Sequence, residues 1–329
     1  MDLSVIICCY NSRERIGHTI MHLAKQVIVN NIRWELVIVD NNCTDETTEF
    51  VKNKWNELTS NCIPLNIYYE QQPGLLYARM KGVSVAKGEI LVFCDDDNWL
   101  SSNYINDAYN IMIEKNDIGA LGGQSVAISD IALPNWWEEF CNGYAVGKQN
   151  SITGYVNKRG YLWGAGIVTR KKLFLQAFNT DFPSILTGRK ANKLSSGDDA
   201  EFCARLLLMN YNLYYSDKLF FNHYIPTNRL TEEYRNNIFN GHKDAFKILK
   251  YYYYVINNDN RSIWKKGYGM VKSFFLFLVK KVINNKINIT EALNLLYIDT
   301  SWNFIPTNPK EIKEIVRFKK YYKYNQSIN

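Results

Sequence analysis

The sequence predicts an α/β protein, with a mostly parallel central sheet flanked by helices and a C-terminal helical extension. Three observations carry that expectation. Short apolar runs rich in β-branched residues, LSVIICC, ELVIVD, LNIYYE and EILVFCD, alternate with stretches of helical periodicity through the first half of the chain. That alternation, β-α-β-α-β-α-β, feeds each strand through a crossover into a parallel neighbour. From about Pro226 the pattern turns helical, basic and aromatic, with four consecutive tyrosines at 251–254. The expected division is therefore 1–225 and 226–329.

The elements follow in order. After the first strand, Ile16, Ile20, Leu23 and Val27 fall on one helical face; the second strand ends on Asp40. The third strand is the least regular of the four. Leu76, Met80, Val83 and Ala86 form the next apolar stripe, and EILVFCD runs into Asp95, Asp96 and Asp97. IGALGGQS and YLWGAGIVT read as strands whose glycines permit close backbone approach. PSILTGRKANKLSSG (183–197) has no periodicity and reads as a mobile loop, with Ser184 to Gly197 a candidate lid over a site. It delivers the chain to SGDDAEFCARLLLMN, a helix opening on Asp198 and Asp199.

Composition sets bounds. Hydrophobic residues at 47% and charged residues at 22% are those of a folded globular chain and exclude disorder. No apolar run reaches the roughly 18 residues of a membrane span, and MDLSVIICCYN lacks a signal peptide's basic start and cleavage site. Seven scattered cysteines without a CxxC pair point to reduced core thiols, and the expected compartment is the cytoplasm. Charge is divided: from Lys218 onward there are 19 Lys and Arg against 8 Asp and Glu, and before it 20 against 24. The front is acidic and the back is basic, which suits two regions with different partners.

In such sheets functional groups gather at the carboxyl ends of the strands. Three strands end on polar groups: Tyr10 and Asn11, Asp40 with Asn41 and Asn42, and the three aspartates. Turn and cap chemistry explains one or two of those aspartates. Three together tolerate ionisation only with a cation among them, and hard oxygen ligands suit Mg²⁺ or Mn²⁺ beside a substrate diphosphate. Neither GxxxxGK[ST] nor GxGxxG follows the first strand, so a P-loop ATPase and a dinucleotide dehydrogenase both fit poorly. Asp40 reads equally as a cap and as a ligand contact. Asp199 reads equally as the last member of a capping box from Ser196 and as a general base. His18 and His22 stand four apart without the glutamate of HExxH, and their spacing is accidental.

Taken in order, SVIICCYN, VIVDNNCTD, PGLLYARMKGVSVAKGEILVFCDDDN, WGAGIVTRKKL and SGDDAEFCARL resemble the family-2 glycosyltransferases of the GT-A fold, of the bacterial surface-polysaccharide type, over about residues 1–230. HYIPTNRLTEEY is similar to a segment of one branch of that family. The resemblance implies a nucleotide-sugar-binding catalytic domain, with Tyr10 and Asn11 in the nucleotide turn and Asp40 on the base, assisted by Arg79. Asp95 and Asp96 would lie at ribose and diphosphate, with Asp97, Asp95 and His223 as the metal set for Mn²⁺ or Mg²⁺. Trp163, Gly164, Ala165 and Gly166 would form the donor and acceptor loop, and Arg229 would face the diphosphate. Asp199 matches the second acid of the family's Glu-Asp pair and is the expected base; Asp198 stands where Glu is usual, which leaves the choice between the two open.

The implied reaction is inverting, metal-dependent transfer of a hexosyl or N-acetylhexosaminyl group from a nucleoside-diphosphate sugar, a UDP-sugar first, to a glycan or lipid-linked acceptor. No nucleic-acid partner is expected. At 264–283, apolar Trp264, Tyr268, Val271, Phe275, Leu278 and Val282 are interleaved with lysines. This stretch would be a helix packed on the catalytic domain, or one lying peripherally on the inner face of the plasma membrane. Two other readings stand beside the transferase: a sugar nucleotidyltransferase, for which CCYNSRER supplies little glycine, and a non-catalytic sugar-nucleotide or membrane-binding module.

Overall fold

The computed structural model describes residues 1–29, 31–60, 62–186, 197–257 and 310–326. The first strand, β1 (Leu3–Cys9), is apolar on both faces and buried almost throughout, as a central parallel strand must be. After α1 (Arg13–Ala24) come β2 (Trp34–Asp40), α2 (Thr47–Thr59), β3 (Leu65–Tyr69), α3 (Leu75–Val85) and β4 (Ile90–Phe93). β1 pairs in parallel with β2 and β4, and β2 with β3. The alternation read from the sequence is thus the observed one.

The second half completes the same sheet: β5 (Asn98–Leu100), α4 (Tyr104–Glu114), β6 (Ile118–Ile128), α5 (Trp137–Phe140), β7 (Gly154–Tyr155), β8 (Val168–Arg170), α6 (Lys171–Ala177), α7 (Asp198–Leu208) and β9 (Asn212–Tyr224). The strand order is β3-β2-β1-β4-β8-β6-β9-β5, with β7 on β9. β6 and β9 are parallel, whereas β8 lies antiparallel between β4 and β6. One apolar core is shared by β1, β2, β4, α1, α4 and Phe221 of β9.

Three expectations are corrected. The α1 stripe stops at Leu23, because the helix ends at Ala24 and Val27 is 50% exposed. On α3 the buried face is Ala78, Arg79, Gly82 and Val83 rather than Leu76 and Met80. A side chain at Gly82 would meet Ile6 at 2.5 Å, so the helix turns its small residues to the sheet. Of YLWGAGIVT only the end is a strand. The N–H groups of Leu162, Trp163 and Gly164 donate to side chains, Cys203 Sγ, Gln149 Oε1 and Asp199 Oδ2, and not to a neighbouring strand.

By its contacts the chain forms two compact units, 1–245 and 246–329. α8 (Glu232–Asn257) runs from the first into the second, and α9 (Lys310–Gln326) belongs to the second. In that second unit Leu249, Tyr252, Val255, Ile312, Ile315, Phe318 and Tyr322 are buried, and Lys319 Nζ donates to the Val255 carbonyl at 3.0 Å. The stretch 264–283 and most of the candidate lid, 187–196, lie outside the described residues. Among the described residues no helix is long and apolar enough to cross a membrane.

Candidate active site

The carboxyl ends of β2, β1 and β4 are adjacent, and the register sets Cys9 opposite Asp40 and Ile6 opposite Phe93. The polar residues that follow these strands therefore collect at one crevice. Tyr10 is 56% exposed there. Asn11 holds a left-handed conformation (φ +48°) while its Oδ1 accepts the Thr44 N–H at 2.8 Å. Asp40 Oδ1 accepts the Cys43 N–H at 2.8 Å, a bond within the turn rather than the helix cap read for it, because α2 begins only at Thr47. Asn41, read only as a polar residue at the strand end, is structural: its Nδ2 donates to the carbonyls of Glu70 and Gln72 and its Oδ1 accepts the Gly74 N–H, which fixes the entry to α3.

The three aspartates do not act as one cluster. Asp95 keeps a side chain 37% exposed, 3.8 Å from Arg79 Nη2. Asp96, expected at the ribose, is turned inward and only 7% exposed; its carboxylate accepts hydrogen bonds from Ser12 Oγ, Arg15 Nε (2.8 Å) and Arg15 Nη2 (2.7 Å). Asp97 is 3% exposed. Arg229 Nη1 lies 2.7 Å from its Oδ2, His223 Nε2 lies 3.4 Å from its Oδ1, and Asn98 Nδ2 donates to Oδ1 at 3.2 Å. Burial would raise the Asp97 pKa, but His223 and Arg229 together hold it well below the usual carboxylate range. The antiparallel pairing of β5 with β9, Asn98 opposite His223, is what brings that histidine to the acid.

This donor set fits a divalent ion. Asp97 and His223 stand side by side, and His223 Nδ1 is buried with no hydrogen-bond partner. Among the described residues no three His, Cys, Asp or Glu side chains gather as a complete metal shell. One carboxylate and one imidazole still suit Mn²⁺ or Mg²⁺, which complete their coordination with phosphate and water.

Arg79 does not pair with Asp40. It is 7% exposed on α3, its Nη1 2.8 Å from Asp198 Oδ2, so a single guanidinium links Asp95 to the start of α7. Asp199 is differently placed. Its Oδ2 accepts the Gly164 N–H and its Oδ1 the Ala200 N–H, each at 2.8 Å. Burial, and then the neighbouring Asp198 charge, raise its pKa above the ordinary carboxylate value. Arg79, Phe93, Ile167, Asp198, Asp199 and Phe202 line one pocket. Gly197 (φ +100°) precedes α7 with no side-chain cap bond; Ser196 of the expected capping box lies outside the described residues.

The loop of Trp163, Gly164, Ala165 and Gly166 sits against this pair. A Cβ on Gly164 would lie 2.9 Å from Arg79 Nη2 and 3.3 Å from the Asp199 Cβ. Gly166 takes φ +71°, and its carbonyl accepts the Tyr104 hydroxyl at 2.5 Å. Glu201, also unremarked in the sequence, accepts the N–H groups of Ile185 and Leu186 at 2.9 Å and pairs with Arg205 at 2.8 Å. Their i,i+4 spacing was the available signal. His18 and His22 pack on the Trp99 ring, at centroid distances of 4.8 and 5.8 Å.

Comparison with known proteins bears on the family and the fold. The family model described as Glycosyl transferase family 2 matches residues 4–174. The chain is 25% identical over 211 residues, 63% of each chain, to glucosyl-dolichyl phosphate glucuronosyltransferase of Haloferax volcanii. It is 28% identical over 108 residues to cholesterol galactosyltransferase of Borreliella burgdorferi, which is 33% of this chain and 28% of that one. The matches thus span less than two thirds of the length of either relative. Among solved structures, Staphylococcus aureus TarS 1–349 in complex with UDP-GlcNAc superposes with a TM-score of 0.56 at 19% identity, covering 99% of this chain and 92% of that one. That likeness establishes the GT-A-like fold.

Proposed function

The chain belongs to glycosyl transferase family 2, and from that premise we propose that it moves a hexosyl or N-acetylhexosaminyl group from a UDP-sugar to a hydroxyl of a glycan or lipid-linked acceptor, with inversion. The observation that carries the reading is the convergence of the β1, β2 and β4 ends on one crevice, with Asp198, the chain neighbour of Asp199, one guanidinium away from Asp95. The TarS neighbour in complex with UDP-GlcNAc supports a nucleotide-sugar donor.

In this mechanism Tyr10, Asn11 and Asp40 receive the nucleoside, and Asp95 faces the ribose and diphosphate. Asp97 and His223, without the expected Asp95, would hold Mn²⁺ or Mg²⁺, which when bound would neutralise charge on the leaving diphosphate. Arg229, already on Asp97, is the protein's own cation at that position. Asp199 takes the proton from the acceptor hydroxyl as it attacks the anomeric carbon. Its raised pKa makes it a better proton acceptor than an ordinary carboxylate. Asp198 is engaged by Arg79 and serves to orient rather than to accept.

Residues 1–225, completed by Arg229, are the catalytic part, and the rest of the basic region from 226 contacts acceptor or membrane surface, a role that suits a protein working at the inner face of the plasma membrane. The lipid-linked acceptor class takes support from the dolichyl phosphate and cholesterol in the relatives' names. The test is a screen of UDP- and GDP-sugars with Mn²⁺ or Mg²⁺, reading nucleoside diphosphate release and sugar transfer. Release that is indifferent to chelation removes Asp97 from a metal role, and no turnover with any donor removes the transferase.

A further inference from the structure

We infer that Arg15 is a positioning residue for the nucleotide turn, held in that role by Asp96. The inference rests on the nucleotide-binding reading of Tyr10 and Asn11. Arg15 lies on the first turn of α1 with its side chain 25% exposed, and it grips the Asp96 carboxylate as a fork: Nε to Oδ1 at 2.8 Å and Nη2 to Oδ2 at 2.7 Å. The same guanidinium also reaches the turn after β1. Nη1 donates to the Asn11 carbonyl at 2.9 Å, and Nη2 reaches the Tyr10 carbonyl at 3.3 Å and Ser12 Oγ at 3.2 Å. One side chain therefore joins the turn after β1 to the acid run after β4.

The remaining contacts brace the same joint. Ser12 Oγ donates to Asp96, the Ser12 N–H donates to Thr47 Oγ1 at 2.9 Å, and Thr19 Oγ1 donates to the Asp96 carbonyl at 2.9 Å. The pull on two successive carbonyls accounts for the backbone of Asn11, a left-handed conformation that a non-glycine residue keeps only where its surroundings fix it. With the carbonyls drawn toward α1, the Tyr10 ring is left exposed at the crevice. Only a planar fork serves a carboxylate and two carbonyls at once; a lysine ammonium cannot. Arg15 touches no reacting atom in this arrangement and acts through Tyr10 and Asn11.

The experiment titrates UDP, GDP and dTDP calorimetrically into wild type, Arg15→Lys, Arg15→Met, Asp96→Asn and the Arg15→Met/Asp96→Asn pair, below each variant's melting midpoint. Donor KM and kcat are measured in parallel. Each single variant is expected to weaken nucleotide binding and raise donor KM by about tenfold, with kcat within about threefold, because the turn is no longer pre-set. The double variant is expected to bind no more weakly than the weaker single one, since both remove the same clamp. Arg15→Lys keeps the charge and the fold and lacks the fork, so it answers even if Arg15→Met fails to fold. Folded Arg15→Lys that binds nucleotide within about twofold of wild type, or variants that lose kcat at unchanged KM, overturn the clamp and leave the transferase standing. Wild type that binds none of the three nucleotides overturns both.

Discussion

Asp199→Asn separates the proposed base from a merely structural acid. The carboxylate accepts two backbone N–H bonds, from Gly164 and Ala200. Asparagine keeps one oxygen for one of them and turns a donor toward the other, a loss of about 1 kcal/mol. Against this, the substitution removes a charge that burial and Asp198 both disfavour, so the net change in stability is small. The chemical cost is larger: removal of a general base lowers kcat by about 10²- to 10⁴-fold, or roughly 3–5 kcal/mol of barrier. The pH dependence has a definite sign. Because the folded pKa is raised, the native state binds the extra proton between the unfolded and folded values. Asp199 therefore takes stability away as pH rises through that window, and Asp199→Asn gains relative to wild type on its neutral side. Wild-type kcat/KM should fall on the acid side with a limb displaced upward from that of an ordinary carboxylate, a limb that Asp199→Asn lacks. Steady-state kinetics from acid to neutral pH and urea melts of both proteins measure this. A variant within about threefold of wild-type kcat, or one that retains the acid limb, refutes the assignment.

Arg79→Met leaves the buried Asp198 carboxylate without its partner and should cost about 3–5 kcal/mol in urea unfolding; a loss below about 1 kcal/mol would mean that Asp198 relaxes to solvent. Asp97→Asn should abolish Mn²⁺ binding as read by electron paramagnetic resonance, and chelation of wild type should stop sugar transfer; intact binding in the variant would move the ion elsewhere. Gly88→Ala places a Cβ 2.4 Å from the Leu3 carbonyl carbon, a backbone atom that cannot swing aside, and should destabilise by about 1–3 kcal/mol or more with no change in donor KM of the folded protein. A thermal midpoint equal to wild type would show that this edge of β1 yields.

What could be read in the sequence was whatever depends on neighbours along the chain. The apolar runs at 3–9, 35–40 and 90–93 specify buried strands because side-chain polarity and β-branching act locally, and their alternation with helices leaves few topologies. Where the acids occur follows from the same pattern, since a parallel strand delivers its next residues to the crevice. The identity of each acid's partner is a different matter. Asp95, Asp96 and Asp97 are indistinguishable as a string, yet one faces Arg79, one Arg15 and one Arg229 with His223, residues up to 132 positions away. Asp198 and Asp199 likewise read alike until α3 presents Arg79 to one and the Gly164 N–H meets the other. Charge pairing at close range depends on distance in space, and only the folded sheet, with β9 laid beside β5 and α1 beside the acid run, sets those distances.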